Sequence, residues 1–255
     1  NIIDNALNKK RSFFTLREIF LSAQKIHSHL SPSAVPQTAH CSMGYFSTLI
    51  GDIGGDYWDH RKTSRGSDLF FLGDSFGKGV YAAFVTILAK MTFNSYLNMD
   101  GTPADILAKI NESLHLSAPC EKYMTGIALE VCNDHVLISN AGNCPPLLCR
   151  AEDGSVSELL APSQVFLNFQ QNYSFKNEQS PFCTGDRIFL FSRGILRSTS
   201  MEGEEYGIDR MKEFVKTKKD VPLEELPPLL KKEIERFRQD EELTEDLTTI
   251  VIEKN

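Results

Sequence analysis

The chain is poor in the features that mark several large classes of protein. It has six cysteines in 255 residues, namely Cys41, Cys120, Cys132, Cys144, Cys149 and Cys183. They form no zinc-like CxxC pair and lack the density of a disulfide scaffold, so a reducing, cytoplasmic compartment is expected. No excess of positive charge exists either. Twenty-seven basic residues face 34 acidic ones, a formal net charge of −7, which argues against a general affinity for nucleic acid phosphates. No apolar run approaches the roughly 20 residues of a membrane span. Gly73–Gly79 is not a Walker A loop, because its spacing is too short and Gly79 stands where a hydroxyl residue is required. What is present is ordinary for a folded domain: 41% apolar and 24% charged residues. The length suits one large domain or two small ones. The first residue is Asn1, and the chain is expected to be a fragment or a processed form, such as the cytoplasmic output domain of a larger sensor.

Residues 8–30 are basic, with Phe13, Leu16, Ile19, Phe20, Ala23, Ile26 and Leu30 at helical spacing. Ser31-Pro32 ends that pattern. Residues 1–32 are therefore expected to form a helical linker segment, able to pack on the domain or to pair in a homodimer. Residues 33–255 are expected to form the domain. Strands are predicted at Tyr45–Ile53 and Asp68–Gly73, joined through a turn-rich Arg61–Gly66. A helix follows over Gly79–Leu97. The next helix carries Thr102 as N-cap, Pro103 at its first position and Asp105 in its first turn. Asn133-Asp134 and Asp153-Gly154 each mark a tight hairpin. Asp186–Ser192 reads as a buried strand, Gly207–Thr217 and Leu223–Arg238 as helices, and Leu247–Glu253 as the last strand. Strands clustered around inserted helical pairs indicate an α+β layered domain rather than regular βαβ alternation.

Acidic residues at strand ends carry the chemical signal. Asp56 and Asp59 follow Gly54-Gly55, Asp74 ends a buried strand, and Glu245-Asp246 precede the last strand. Carboxylates at adjacent strand ends can converge on a hard cation such as Mg²⁺ or Mn²⁺. A single Asp before a turn is equally at home as a cap. Lys78, at a Gly-rich helix start, and Arg193 are candidate phosphate-binding residues. His27 and His29 lie two apart on a helix and face different ways. His40, His60 and His115 show no companion of the kind a triad needs.

These residues resemble a known family. Gly54-Gly55-Asp56-Tyr57-Trp58-Asp59 resembles the GGDYYD signature of bacterial SpoIIE-like phosphatases, members of the metal-dependent PPM (protein phosphatase 2C-like) superfamily. Gly73-Asp74-Ser75-Phe76-Gly77-Lys78-Gly79 resembles GDVSGKG, and Asn140–Pro146 resembles NAGHxPP. Gly185-Asp186 with Phe189-Leu190-Phe191 is similar to the GDxLxLYTDG strand, Gly203–Gly207 to the GExFG turn, and Glu245-Asp246-Leu247-Thr248 to the closing DDxT. The six motifs occur in the family's order from about Phe20 to Glu253. The resemblance implies an α-β-β-α sandwich of two antiparallel sheets flanked by helices. It also implies a reaction in which two divalent cations activate water for attack on a phosphoserine or phosphothreonine. The implied substrate is a phosphorylated regulatory protein of the anti-sigma antagonist type.

The carry-over implies metal ligation by Asp74, through the carboxylate that bridges two metals, and by the Ser75 carbonyl. Asp56 matches the first-motif acid, and Asp59 is a further candidate. Glu245 stands for the first Asp of the closing motif, with Asp246 as an alternative ligand or a support. Ser192-Arg193-Gly194 departs from the family's Thr-Asp-Gly. Arg193 cannot ligate a cation, so the second metal of the family lacks a ligand here, and Arg193 is expected to pair with Asp74 or Glu245. Asn143 stands for the family's His. Three readings stay open: an active phosphatase with an altered site, a pseudophosphatase that binds a partner without turnover, and a purely structural output domain.

Overall fold

A computed structural model of the chain describes residues 31–32, 34–36, 38–50, 54–77, 79–95, 101–118, 122–159, 165–239 and 241–255. The expected helix over 8–30, with His27 and His29, lies outside the described residues, as do Lys78 and Cys120. Among the described residues, ten strands form two five-stranded sheets. One sheet joins β1 (Cys41–Thr48), β10 (Leu247–Lys254), β9 (Arg187–Phe191), β6 (Leu147–Cys149) and β7 (Val156–Glu158) in that order. The other joins β2 (Asp56–Lys62), β3 (Asp68–Ser75), β4 (Met124–Val131), β5 (His135–Ala141) and β8 (Glu178–Pro181). Every pairing is antiparallel.

The period of two assigns each strand face to a layer. In β2 and β3, Trp58, Phe70 and Leu72 point between the sheets, where they meet Ile127, Leu129, Ile188, Leu190, Ile250 and Ile252. Their neighbours Tyr57, Leu69 and Phe71 point the other way, onto α1 (Val80–Ser95) and α2 (Pro103–Ser117). Strand β3 is buried at all eight positions because it is covered on both faces. On the opposite sheet, Phe189, Phe191 and Val251 pack against α3 (Arg193–Arg197), α4 (Gly207–Thr217) and α5 (Leu226–Arg238). The layers are therefore α-β-β-α, the architecture the motifs implied.

Local chemistry sets the element ends. Thr102 and Asp105 form a capping box at the start of α2, with Pro103 in the first turn. Cys132 N–H donates to the His135 carbonyl and closes the Asn133-Asp134 hairpin. Gly66, at φ 85°, sits in the left-handed region inside the β2–β3 turn. The strand predicted over Tyr45–Ile53 is β1, which ends at Thr48, and three elements add to the predicted set: strand β2 over Asp56–Lys62, edge strand β8 and the short helix α3. The predicted helix over Leu223–Arg238 divides into a 3₁₀ turn at Leu223–Glu225 and α5.

Candidate active site

The cross-strand register puts the key acids together. Asp56 and Asp74 are direct partners in the β2–β3 ladder. Both occupy the face that Trp58 and Leu72 turn toward the second sheet, at the same end of the sandwich. Thr248, at the start of β10, lies on the facing surface. Both carboxylates are buried. Burial, then the neighbouring Asp74 and Asp246 charges, push Asp56 well above the usual carboxylate range, offset in part by the Thr248 and Ser192 hydroxyls. Burial also raises Asp74, to about 6, where Arg193 and Arg197 oppose the rise and Glu245 and Asp246 add to it.

Asp246 lines the same cleft, and its carboxylate is engaged by the backbone of the Asp56 loop. It accepts the backbone N–H groups of Ile50, Gly55 and Asp56. It therefore fixes the chain that delivers Asp56. That loop needs its glycines: a Cβ on Gly54 would lie 2.3 Å from Asp246 Oδ2, and one on Gly55 would lie 2.8 Å from the Ser75 carbonyl oxygen. Ser75 N–H donates to the Gly55 carbonyl at 3.0 Å and clamps the β3 end to the same loop.

Arg193 opens α3 and reaches both other acids. Its Nε donates to Glu245 Oε2 at 3.1 Å, and its Nη2 lies 3.5 Å from Asp74 Oδ2. Arg197 Nη1 holds the other Glu245 oxygen at 3.3 Å. The Arg193 guanidinium stacks over the Phe76 ring at 4.5 Å. These groups border a cleft of about 150 Å³, lined among others by Gly54, Gly55, Asp74, Ser75, Arg193 and Glu245.

Asp59 lies elsewhere. One residue out of phase with Asp56 and Trp58, it turns to the helical layer. There it accepts from Tyr57 Oη at 2.9 Å and pairs with Arg61 at 2.8 Å and Lys90 at 3.3 Å. It ties β2 to α1. His60, which showed no companion in the sequence, has one: its Nε2 lies 3.0 Å from Asp68 Oδ1. Asn143 accepts from Cys144 N–H and donates across to the Leu72 carbonyl of β3 at 3.4 Å.

The donor set fits one small hard cation. Asp56 Oδ2 is buried without a hydrogen-bond partner, and so is Ser75 Oγ. An orphaned carboxylate oxygen beside a second carboxylate is a place that favours positive charge. With all four acids ionised against two guanidiniums, the cluster is two positive charges short of balance, the charge of one divalent ion. Two carboxylates with water completing the shell is a familiar Mg²⁺ arrangement. A second ion finds fewer donors, since Glu245 is paired and Asp246 is capped. Among the described residues, no group of three or more His, Cys, Asp or Glu side chains could hold a metal.

Comparison with known proteins agrees with this fold. Residues 64–255 match the family model described as Stage II sporulation protein E (SpoIIE). The chain is 24% identical over 183 residues to phosphoserine phosphatase RsbU of Bacillus subtilis (strain 168), covering 71% of this chain and 54% of RsbU. It thus spans about half the length of that curated relative. Among solved structures it is similar to the SiaA-PP2C domain of Pseudomonas aeruginosa, at TM-score 0.81 and 17% identity over 96% of this chain and 99% of that one. It is also similar to the catalytic domain of the serine threonine protein phosphatase PstP in complex with 2 manganese ions. That match has TM-score 0.60 and 14% identity, over 84% of this chain and 98% of that one. At these identities the structures show a shared PP2C-like fold.

Proposed function

This chain belongs to the SpoIIE family, and on that premise we propose that it is a divalent-metal-dependent phosphatase acting on phosphoserine or phosphothreonine of a regulatory protein. The observation that carries the reading is the buried Asp56–Asp74 pair, in which Asp74 lines the cleft and Asp56 keeps one oxygen unpartnered behind it. Asp56 and Asp74, with Ser75 beside them, are the residues proposed to hold Mn²⁺ or Mg²⁺. When bound, such a cation lowers the pKa of a coordinated water and neutralises phosphoryl charge. The chain's own residues do the positioning. Asp246 fixes the Gly54–Asp56 loop through three backbone bonds, and the Ser75–Gly55 bond holds the two strand ends at one spacing. Glu245 holds Arg193 at the cleft wall. The relation to phosphoserine phosphatase RsbU supports a phosphoserine substrate, and the partner proposed to carry it is a regulatory protein of the anti-sigma antagonist type.

A second reading is favoured by one observation. Arg193 already supplies a cation to Asp74 and Glu245, which suits a pseudophosphatase that binds its phosphorylated partner without turnover. Hydrolysis of a phosphoserine peptide in Mn²⁺ separates the two. The phosphatase reading expects turnover in the native chain that falls at least 100-fold in Asp74→Ala, the scale on which essential electrostatic groups act. No turnover in the native chain, with activity appearing in Arg193→Asp, would establish the pseudophosphatase instead.

A further inference from the structure

Arg193 is gripped unevenly, and the unevenness has a functional consequence that rests on the phosphatase reading above. One edge of the guanidinium is tethered: Nε donates to Glu245 Oε2 at 3.1 Å, and Arg197 braces that carboxylate from its other oxygen at 3.3 Å. One face is seated on the Phe76 ring at 4.5 Å. The remaining edge is slack. Nη2 reaches Asp74 Oδ2 only at 3.5 Å, an ion pair without an aligned hydrogen bond, and Nη1 has no hydrogen-bond partner among the described residues. The planar fork of arginine matches phosphate oxygens two at a time. Here the half of the fork that remains available faces the cleft beside the proposed metal ligand.

We propose that Arg193 is a latch that couples phosphate binding to cation binding. In the ligand-free protein its Nη edge serves as counter-ion to Asp74 and competes with a divalent ion for that carboxylate. A phosphate monoester draws the Nη edge onto its own oxygens, while Glu245 and Phe76 keep the rest of the guanidinium in place. Asp74 then loses its internal partner and is open to the cation. The competition is electrostatic and close-range, inside a buried cluster where charges are weakly screened. Linkage requires the effect to run both ways: phosphate tightens the cation, and the cation tightens phosphate.

The test is calorimetric titration of Mn²⁺ into the full chain, with and without inorganic phosphate, for the native protein, Arg193→Gln and Arg193→Lys. In the native protein, phosphate is expected to tighten Mn²⁺ by about tenfold, within the ordinary range of coupling between sites. Arg193→Gln is expected to bind Mn²⁺ more tightly than the native chain without phosphate. Its remaining phosphate effect falls to that of direct Mn²⁺–phosphate contact, about two- to threefold. Arg193→Lys keeps the charge but loses the fork, so it should retain weak Mn²⁺ binding without phosphate and a reduced phosphate effect. Unchanged Mn²⁺ affinity and an unchanged phosphate effect in both variants would overturn the latch and leave Arg193 as a fixed counter-ion. Absence of Mn²⁺ binding in all three proteins, with phosphate or without, would overturn the metal-dependent reading itself and the latch with it.

Discussion

At the residue scale, the site is held together against its own electrostatics. Asp56 is buried beside Asp74 and Asp246 with one oxygen unpartnered. Such a group stores unfavourable energy that function can use and stability cannot. Asp56→Asn removes the charge with little change of shape. It is expected to raise the melting temperature of chelator-treated protein by about 2–4 °C and to abolish the stabilisation that added Mn²⁺ gives the native chain. A thermal melt with and without Mn²⁺ reads both, and a lower melting temperature in chelator would contradict the argument. Asp56 and Asp74 stood out in the sequence as candidate acids, because each sits beside a Gly-rich turn in an ordered motif, and the β2–β3 register brings them together. So did Arg193, by its charge at an acidic site. The fate of Asp59 was not legible from the motif alone. It depends on strand phase, and a one-residue step in a strand reverses the face.

At the scale of elements, the site depends on how closely α3 approaches the segment before β10. A Cβ on Gly194 would lie 2.0 Å from the Asp246 carbonyl oxygen and 3.1 Å from the Glu245 Cβ. Backbone cannot yield as a side chain can. Gly194→Ala should therefore shift α3, with Arg193 at its start, away from Glu245 and Asp246. The expected cost is about 1–3 kcal/mol of stability, read by urea denaturation, together with loss of phosphate-dependent Mn²⁺ binding. A fully stable variant would show that the contact relaxes without strain. Helix α3 was invisible in the sequence because five residues are too few to display a helical period. Strand β8 was missed because none of its four residues is buried and it ends in Pro181, as edge strands tolerate. The long elements were legible where burial has a period. The Thr102-Pro103 start of α2, the Asn133-Asp134 hairpin and the Gly207–Thr217 helix all lie where capping, turn and apolar signals placed them.

Across the whole molecule, the sandwich buries carboxylates at both ends but treats them oppositely. At the site end, Asp56 and Asp74 are raised. At the other end, burial alone would raise Asp68. Hydrogen bonds from His60 and from the His40 and Ala39 N–H groups outweigh it and lower the carboxyl below its usual range. A carboxylate depressed in the folded state stabilises above its unfolded pKa of about 3.9. That contribution fades as pH falls through the lower folded value. Asp68→Asn should thus cost about 2 kcal/mol at pH 7, as for hydrogen bonds to a charged group, and progressively less below pH 4. Denaturation curves at pH 7 and pH 3.5 would show it, and a cost independent of pH would assign the effect to packing. The His60–Asp68 pair spans a hairpin diagonal, so only the β2–β3 register reveals it. The layered fold follows from the alternation of buried residues, and the proposed reaction rests on what one end of it concentrates. The most direct measurement is phosphate release from a phosphoserine peptide by the native chain and Asp74→Ala across a Mn²⁺ titration. The account predicts Mn²⁺-dependent turnover in the native chain that Asp74→Ala abolishes. Turnover that ignores Mn²⁺ or survives Asp74→Ala would contradict it.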